Sequence, residues 1–174
     1  MKSKRILLVL LAFAAVFAIT GCEQPPSEPP PTMFLTHPLG TIGLGMDIDE
    51  VSEILGMDPD YFLEVEDVVL ADYTYPNLVI LYDDMTARAV LIRAFGPGSV
   101  FNGVTIGMGY DEALALSGEY AVESIVPRGG GRYAITLYFN ANGDPVRQND
   151  NRRSHAVTYE FYDGVVERLI IEIL

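Results

Sequence analysis

The chain reads as an α+β protein built from two tandem repeats, each a short helix followed by a three-stranded antiparallel meander, sharing one sheet and one core. Three observations predict this. A motif recurs 62 positions apart, Gly45-Met46-Asp47-Ile48-Asp49-Glu50-Val51 against Gly107-Met108-Gly109-Tyr110-Asp111-Glu112-Ala113, and each copy runs on to a glycine at the same offset, Gly56 and Gly118. Apolar and polar residues alternate through Ile135, Leu137, Phe139 and through Val157, Tyr159, Phe161, the period-two signature of strands with one buried face. Both motif copies are followed by β-branched and aromatic runs punctuated by turn residues.

Taken in order, residues 1–21 carry Lys2, Lys4 and Arg5 ahead of an apolar run from Ile6 to Ile19, the layout of a secretory signal peptide. As a helix its 14 residues reach about 21 Å, short of the roughly 30 Å of a bilayer core. Cys22, the only cysteine, closes Ile19-Thr20-Gly21-Cys22. This tetrapeptide resembles the lipobox of bacterial lipoproteins, whose cysteine is diacylated and becomes the first residue of the mature chain. The resemblance implies palmitate-type acylation at Cys22 and a membrane partner reached through lipid, where two acyl chains suffice for stable anchoring. The alternative is a free thiol after an ordinary cleavage site. From Cys22 to Pro38 the chain holds six of its eleven prolines, a tether that reaches roughly 50 Å in the polyproline II conformation.

The first repeat spans 39–100. Asp47 with Glu50 three residues on forms a capping box, Ile48, Val51 and Leu55 share one face, and Gly56 supplies the stop. A helix of about two turns is not stable alone. It packs on strands expected over Val68–Tyr75, Leu78–Tyr82 and Ala87–Phe95. The second repeat spans 101–174. Gly109 with Glu112 repeats the cap more weakly, Tyr110, Ala113 and Leu114 share a face, and Gly118 is the stop. Its strands are expected over Tyr133–Phe139, His155–Tyr162 and Val165–Ile173, the last two joined by the hairpin turn Asp163-Gly164. Leu81-Tyr82-Asp83 and Phe161-Tyr162-Asp163 correspond at an offset of 80, so the second copy carries an insertion of about 18 residues.

Beyond residue 21 the chain holds eight arginines against 24 acids, a formal charge of −16. This excludes nucleic acid and anionic headgroups as partners, because both demand clustered cations. With its single thiol at the proposed anchor, the exported domain has no internal disulfide and relies on its core.

The Gly-Met step, the acid and the closing glycine of both motif copies resemble the helix motif of the small outer-membrane assembly lipoproteins, the SmpA/OmlA family. The tandem order is similar to that of the secreted β-lactamase inhibitor proteins. The likeness covers about 12 residues per copy. It implies the fold and a role in binding protein. The chain departs from these families in lacking tryptophan, a proline after Gly56 or Gly118, and the inhibitors' disulfides, and no partner-contact residue carries over.

Catalytic chemistry is thinly represented. His37 lies in the tether and His155 at a strand start, with no evident partner for either, and no nucleophile elbow, paired-histidine zinc motif or phosphate loop occurs. Gly129-Gly130-Gly131 reads as a hairpin loop and Asn140-Ala141-Asn142-Gly143-Asp144 as a turn. The acids Asp58, Asp60, Glu64, Glu66 and Asp67 are weak calcium candidates without EF-hand spacing and read better as a solvated connector. The insertion from Asn140 to Ser154 carries Arg147, Arg152 and Arg153 on an acidic molecule; it reads as a solvated loop or as a partner contact joined by Tyr133, Tyr138 and Tyr159, strand tyrosines that more often complete a core. The expectation is an exported, lipid-anchored, non-enzymatic module of the cell or outer membrane that needs no cofactor and binds an envelope protein through a sheet face or this loop. The alternatives are an inhibitor of a secreted enzyme, a carboxylate-based hydrolase and a calcium-dependent adhesion module.

Overall fold

The computed structural model describes residues 33–57, 62–65, 69–72, 74–125 and 132–174, with the backbone alone for 62–65 and 69–70. The signal peptide, Cys22, the proline-rich run up to 32, Asp58, Asp60, Glu66, Asp67 and the triple glycine lie outside the described residues. The chain is mixed, mostly antiparallel sheet with two α-helices among the described residues.

The first strands form a hairpin, β1 (Phe34–His37) on β2 (Gly40–Gly43). This corrects the reading of residues up to Pro38 as tether. Met33, Leu35 and His37 are buried at 3, 0 and 5 % exposure while Phe34 between them is 45 % exposed, so the segment has the alternation of a half-buried strand. Pro38 stands just past β1, where no ladder N–H is required.

Helix α1 (Ile48–Leu55) starts and stops as its sequence dictates. The Asp47 carboxylate accepts from the Glu50 N–H at 2.8 Å, the Asp47 N–H donates to Glu50 Oε2 at 2.9 Å, and Gly56 closes the helix in the left-handed region at φ 72°. Val51 and Leu55 are buried. Four strands follow rather than three: β3 (Phe62–Val65), β4 (Val69–Asp72), β5 (Leu78–Asp83) and β6 (Ala89–Ala94). A second short hairpin, β7 (Val100–Phe101) and β8 (Val104–Thr105), turns at Asn102-Gly103, both at positive φ.

Helix α2 (Tyr110–Ser117) begins at Gly109 without a side-chain cap. Gly118 ends it at φ 69° and ψ −160°, outside the left-handed helical region, and the chain continues into a 3₁₀ turn, Gly118–Tyr120. Then come β9 (Val122–Ile125), β10 (Tyr133–Phe139), β11 (Pro145–Val146), β12 (His155–Tyr162) and β13 (Val165–Ile173). Asp163 and Gly164 turn β12 into β13 at φ 50° and 80°, the geometry Asp-Gly favours because both central residues need positive φ.

Nine strands make one sheet in the order β11-β10-β12-β13-β6-β5-β4-β3, with β9 on the same edge of β10 as β11, and every pairing is antiparallel. Four strands make a second, smaller sheet, β2-β1-β7-β8, which the sequence reading lacked. The segment ahead of each helix is stitched to the large sheet in the same way. Gly45 N–H donates to Ala89 O and Ala89 N–H to Met46 O, while Gly107 N–H donates to Val166 O and Val166 N–H to Met108 O, each at 2.8 Å. The core lies between one face of the large sheet, with Ile80, Tyr82, Ile92, Leu169, Ile171, Val157 and Tyr159, and a layer containing Val51 and Leu55 of α1, Ala113 of α2, and Leu35, Ile42, Phe101 and Val104 of the small sheet.

Candidate interaction surfaces

Among the described residues the opposite face of the large sheet contributes nothing to that core cluster. Antiparallel sheets covered on one side usually alternate apolar inward with polar outward. Here apolar residues stand among the polar ones at the centre of the outward face. One row across the strands reads Val79, Arg93, Ile170, Thr158 and Thr136. The next reads Ala71, Leu81, Leu91, Glu172, Ala156 and Tyr138. Leu81 and Leu91 are only half-buried. Charge collects around them: Arg168 pairs with Glu160 at 3.1 Å, and burial pushes the Glu172 carboxyl up, against the pull of Arg93. The open face is thus an aliphatic strip flanked by ion-paired and polar side chains.

At one end of this face lies the loop from Asn140 to Ser154. Its arginines are largely engaged within the loop. Arg152 grips Asp150 through two bonds of 3.0 and 2.7 Å, which holds the Asp150 carboxyl down to about 2. Arg153 donates to the Asp150 carbonyl at 3.1 Å and lays its guanidinium 5.1 Å from the Tyr138 ring centre. Arg147 is exposed and lines a shallow groove with Glu119, Tyr120 and Gln148. Asn140 Oδ1 accepts from the Asn142 and Asp144 amides at 2.9 and 3.0 Å, so that stretch is an Asx-type turn.

Tyr133 does not join this group. It is five residues before Tyr138 on β10, about 17 Å along the strand, and odd spacing puts it on the other face of the sheet. Tyr159 is fully buried, so it cannot contact a partner. His37 is buried as well, its Nδ1 accepting from the Leu39 N–H at 3.3 Å and its pKa lowered by desolvation. His155 is half-buried with Nδ1 2.8 Å from Ser154 Oγ.

Tyr133 instead belongs to a second surface, on the helix side of the sheet at its β9 edge. Helix α2 is only eight residues long and leaves this corner open. An apolar cleft of about 500 Å³ is lined by Tyr110, Glu123, Ser124, Ile125, Tyr133 and Gly164. Tyr110 is placed by its N–H bond to the Gly164 carbonyl at 3.0 Å, and its ring meets Phe161 and Tyr133 edge-on at 5.0 and 6.2 Å. Its hydroxyl donates to Glu123 Oε2, which pushes the Tyr110 hydroxyl up to about 12. Ile125 is 76 % exposed and Tyr133 46 %. Sequence reading placed Tyr110 on the buried face of a helix and assigned Glu123 and Ile125 nothing; their meeting depends on the β9–β10 pairing.

Among the described residues no three histidine, cysteine or acidic side chains gather as a metal site, and no helix is long and apolar enough to cross a membrane. Compared with family models, with curated proteins and with solved structures, the chain matches none, so its surfaces are the ground for a functional reading.

Proposed function

We propose that this chain is a lipid-anchored, extracytoplasmic, non-enzymatic module that binds a protein partner of the cell envelope across the open face of its large sheet. The observation that carries the reading is the aliphatic strip of Val79, Leu81, Leu91 and Ile170 on a face that contributes nothing to the core. Leu81 and Leu91 are half-buried beside the buried Val79 and Ile170, and with Arg93, Arg168, Glu160 and Glu172 around them they have the make-up of an interface, an apolar centre within a polar rim. The lipobox-like Ile19-Thr20-Gly21-Cys22 and the prolines after it support an anchor and a stalk.

We further infer that the fold is a duplicated unit. Each half runs hairpin, bridge, helix, four-stranded meander, and the order of the large sheet reads alike outward from the central β6–β13 pair. In that reading β11 belongs to the insertion of the second copy, and the strip straddles the join between the halves. The repeat order and the Gly-Met motif are also what support kinship with the SmpA/OmlA and β-lactamase inhibitor families.

The test is a photo-crosslinking residue at position 91 of the membrane-bound chain in cells. The expected result is one discrete adduct, lost when Leu81→Asp is added, with none from the same crosslinker at exposed Glu53 on α1. Equal labelling from positions 91 and 53, or no adduct from 91, rejects the reading.

A further inference from the structure

We propose that the cleft beside β9 receives a lysine or arginine side chain from an extended segment of the partner, which adds as a strand to the free edge of β9. This rests on the protein-binding reading but concerns a different surface. Three features converge.

The first is the edge. Among the described residues β9 pairs with β10 on one side only, and Glu123, Ser124 and Ile125 are all exposed. An edge strand presents a row of main-chain donors and acceptors to which a peptide can pair, with pockets for alternate side chains conferring specificity. Covering elements usually blunt such an edge; β11 covers β10 only at Tyr138 and Phe139, well beyond the reach of β9.

The second is the cleft. Glu123 and Ile125 are two apart on β9, opposite Ile135 and Tyr133, so both face the helix side where the cleft opens. A peptide strand laid along β9 projects every second side chain to that same side. About 500 Å³ between two tyrosine rings accommodates a long side chain.

The third is charge. Among the described lining residues none is basic, and one is a carboxylate. Glu123 spends one oxygen on the Tyr110 hydroxyl, leaving the second for a ligand. Tyrosine faces attract ammonium and guanidinium groups. Of the described arginines the nearest in sequence, Arg132, is engaged elsewhere, over the Tyr162 ring at 5.4 Å and 3.6 Å from Glu167. The N-terminus of α2 carries a partial positive charge close by, but Asp111 and Glu112 in its first turn offset it. Long-range steering acts the same way, because the chain beyond residue 21 carries −16. An acidic or purely aliphatic strand meets the edge but gains nothing from the cleft.

The experiment uses the full chain purified in detergent and three fluorescent heptapeptides of alternating threonine and valine, with lysine, norleucine or glutamate at the centre, read by anisotropy. The lysine peptide is expected to bind about tenfold tighter than the glutamate peptide and about threefold tighter than the norleucine one. Glu123→Gln removes the advantage over norleucine without abolishing norleucine binding. Asp84→Asn, which deletes the same charge at the exposed β5–β6 turn, leaves that advantage intact. Tyr133→Leu keeps apolar bulk and loses the lysine preference. Equal binding of the lysine and norleucine peptides, an equal effect of Glu123→Gln and Asp84→Asn, or no binding of any peptide into the millimolar range overturns the proposal. If peptide binding is absent while the adduct at position 91 persists, the cleft reading fails alone; if peptides bind and that adduct is absent, the open-face reading fails alone.

Discussion

Asp47 and Glu50 satisfy each other's backbone at the start of α1, the carboxylate of each accepting the other's N–H at 2.8 and 2.9 Å. At the equivalent place in α2 Gly109 has no side chain to offer. Asp47→Ala is expected to cost about 1 kcal/mol and to lower Tm by about 2–4 °C. Gly109 has an extended backbone at φ −67° and open space where a Cβ would go, so Gly109→Asp is expected to stabilise by a few tenths of a kcal/mol, with Glu112 completing the box. Thermal denaturation of both variants checks the pair; equal and opposite shifts of zero would mean that neither cap matters.

Gly40 in β2 lies hard against α1. A Cβ there would stand 2.5 Å from Ile54 Cγ2 and 3.0 Å from the Ile54 carbonyl oxygen. Gly40→Ala is therefore expected to destabilise by about 1–3 kcal/mol through overpacking. Ile54→Ala made together with it should recover part of the loss, so a double-mutant cycle in urea is expected to show coupling of about 0.5 kcal/mol or more. Additive losses would show that β1–β2 is loosely attached to α1.

That hairpin marks where sequence reading stopped short. Prolines crowd the residues before 32, and Pro38 made the stretch between look like more of the same, yet Leu35 and His37 are buried by long-range pairing with β2 and β7. β9 was missed because Glu123 and Ser124 dilute its strand character, and β7–β8 because two-residue strands carry no period, although Asn102-Gly103 is a hairpin signal. β12 and β13 were legible to the residue, since strict alternation and Asp163-Gly164 agree. For the surfaces, Tyr133 and Tyr138 were both named, but only the pleat tells that they face opposite ways. The arginine loop was visible as a charge reversal; that Asp150 occupies Arg152 is a local contact of the loop, whereas Tyr138 holding Arg153 is tertiary information.

Tyr159 is fully buried on β12 and its hydroxyl has no hydrogen-bond partner. A buried unpartnered hydroxyl carries its desolvation cost uncompensated. Tyr159→Phe is thus expected to be neutral or to stabilise by up to about 1 kcal/mol, against the usual loss for a core substitution. Burial also pushes the hydroxyl's pKa up. The folded state therefore favours the protonated form: the associated stability is full below the unfolded pKa of about 10 and is lost as pH rises through the folded value. Urea titrations should show the wild type weakening above about pH 10 and the phenylalanine variant weakening less. A clear loss of stability in Tyr159→Phe at neutral pH would reveal a partner for the hydroxyl.

Glu172 stands opposite Leu91 across the β6–β13 pair, and desolvation raises its carboxyl pKa more than Arg93 lowers it. The sign follows. A raised carboxyl favours the neutral form in the fold, so this group's contribution is full below the unfolded pKa of about 4.3 and falls away as pH climbs through the folded value. Glu172→Gln is expected to be more stable than wild type at pH 7, with a flatter pH profile between about 4 and 7. A partner seated on the open face would desolvate the carboxyl further, raise its pKa again and bind a proton on docking. Adduct formation through position 91 is therefore expected to strengthen as pH falls from 7 to about 5 in wild type and to change less in Glu172→Gln. Should both proteins show the same pH profile for stability and for crosslinking, Glu172 would lie outside the contact, and the interface would have to be centred toward Val79 and Arg93 instead.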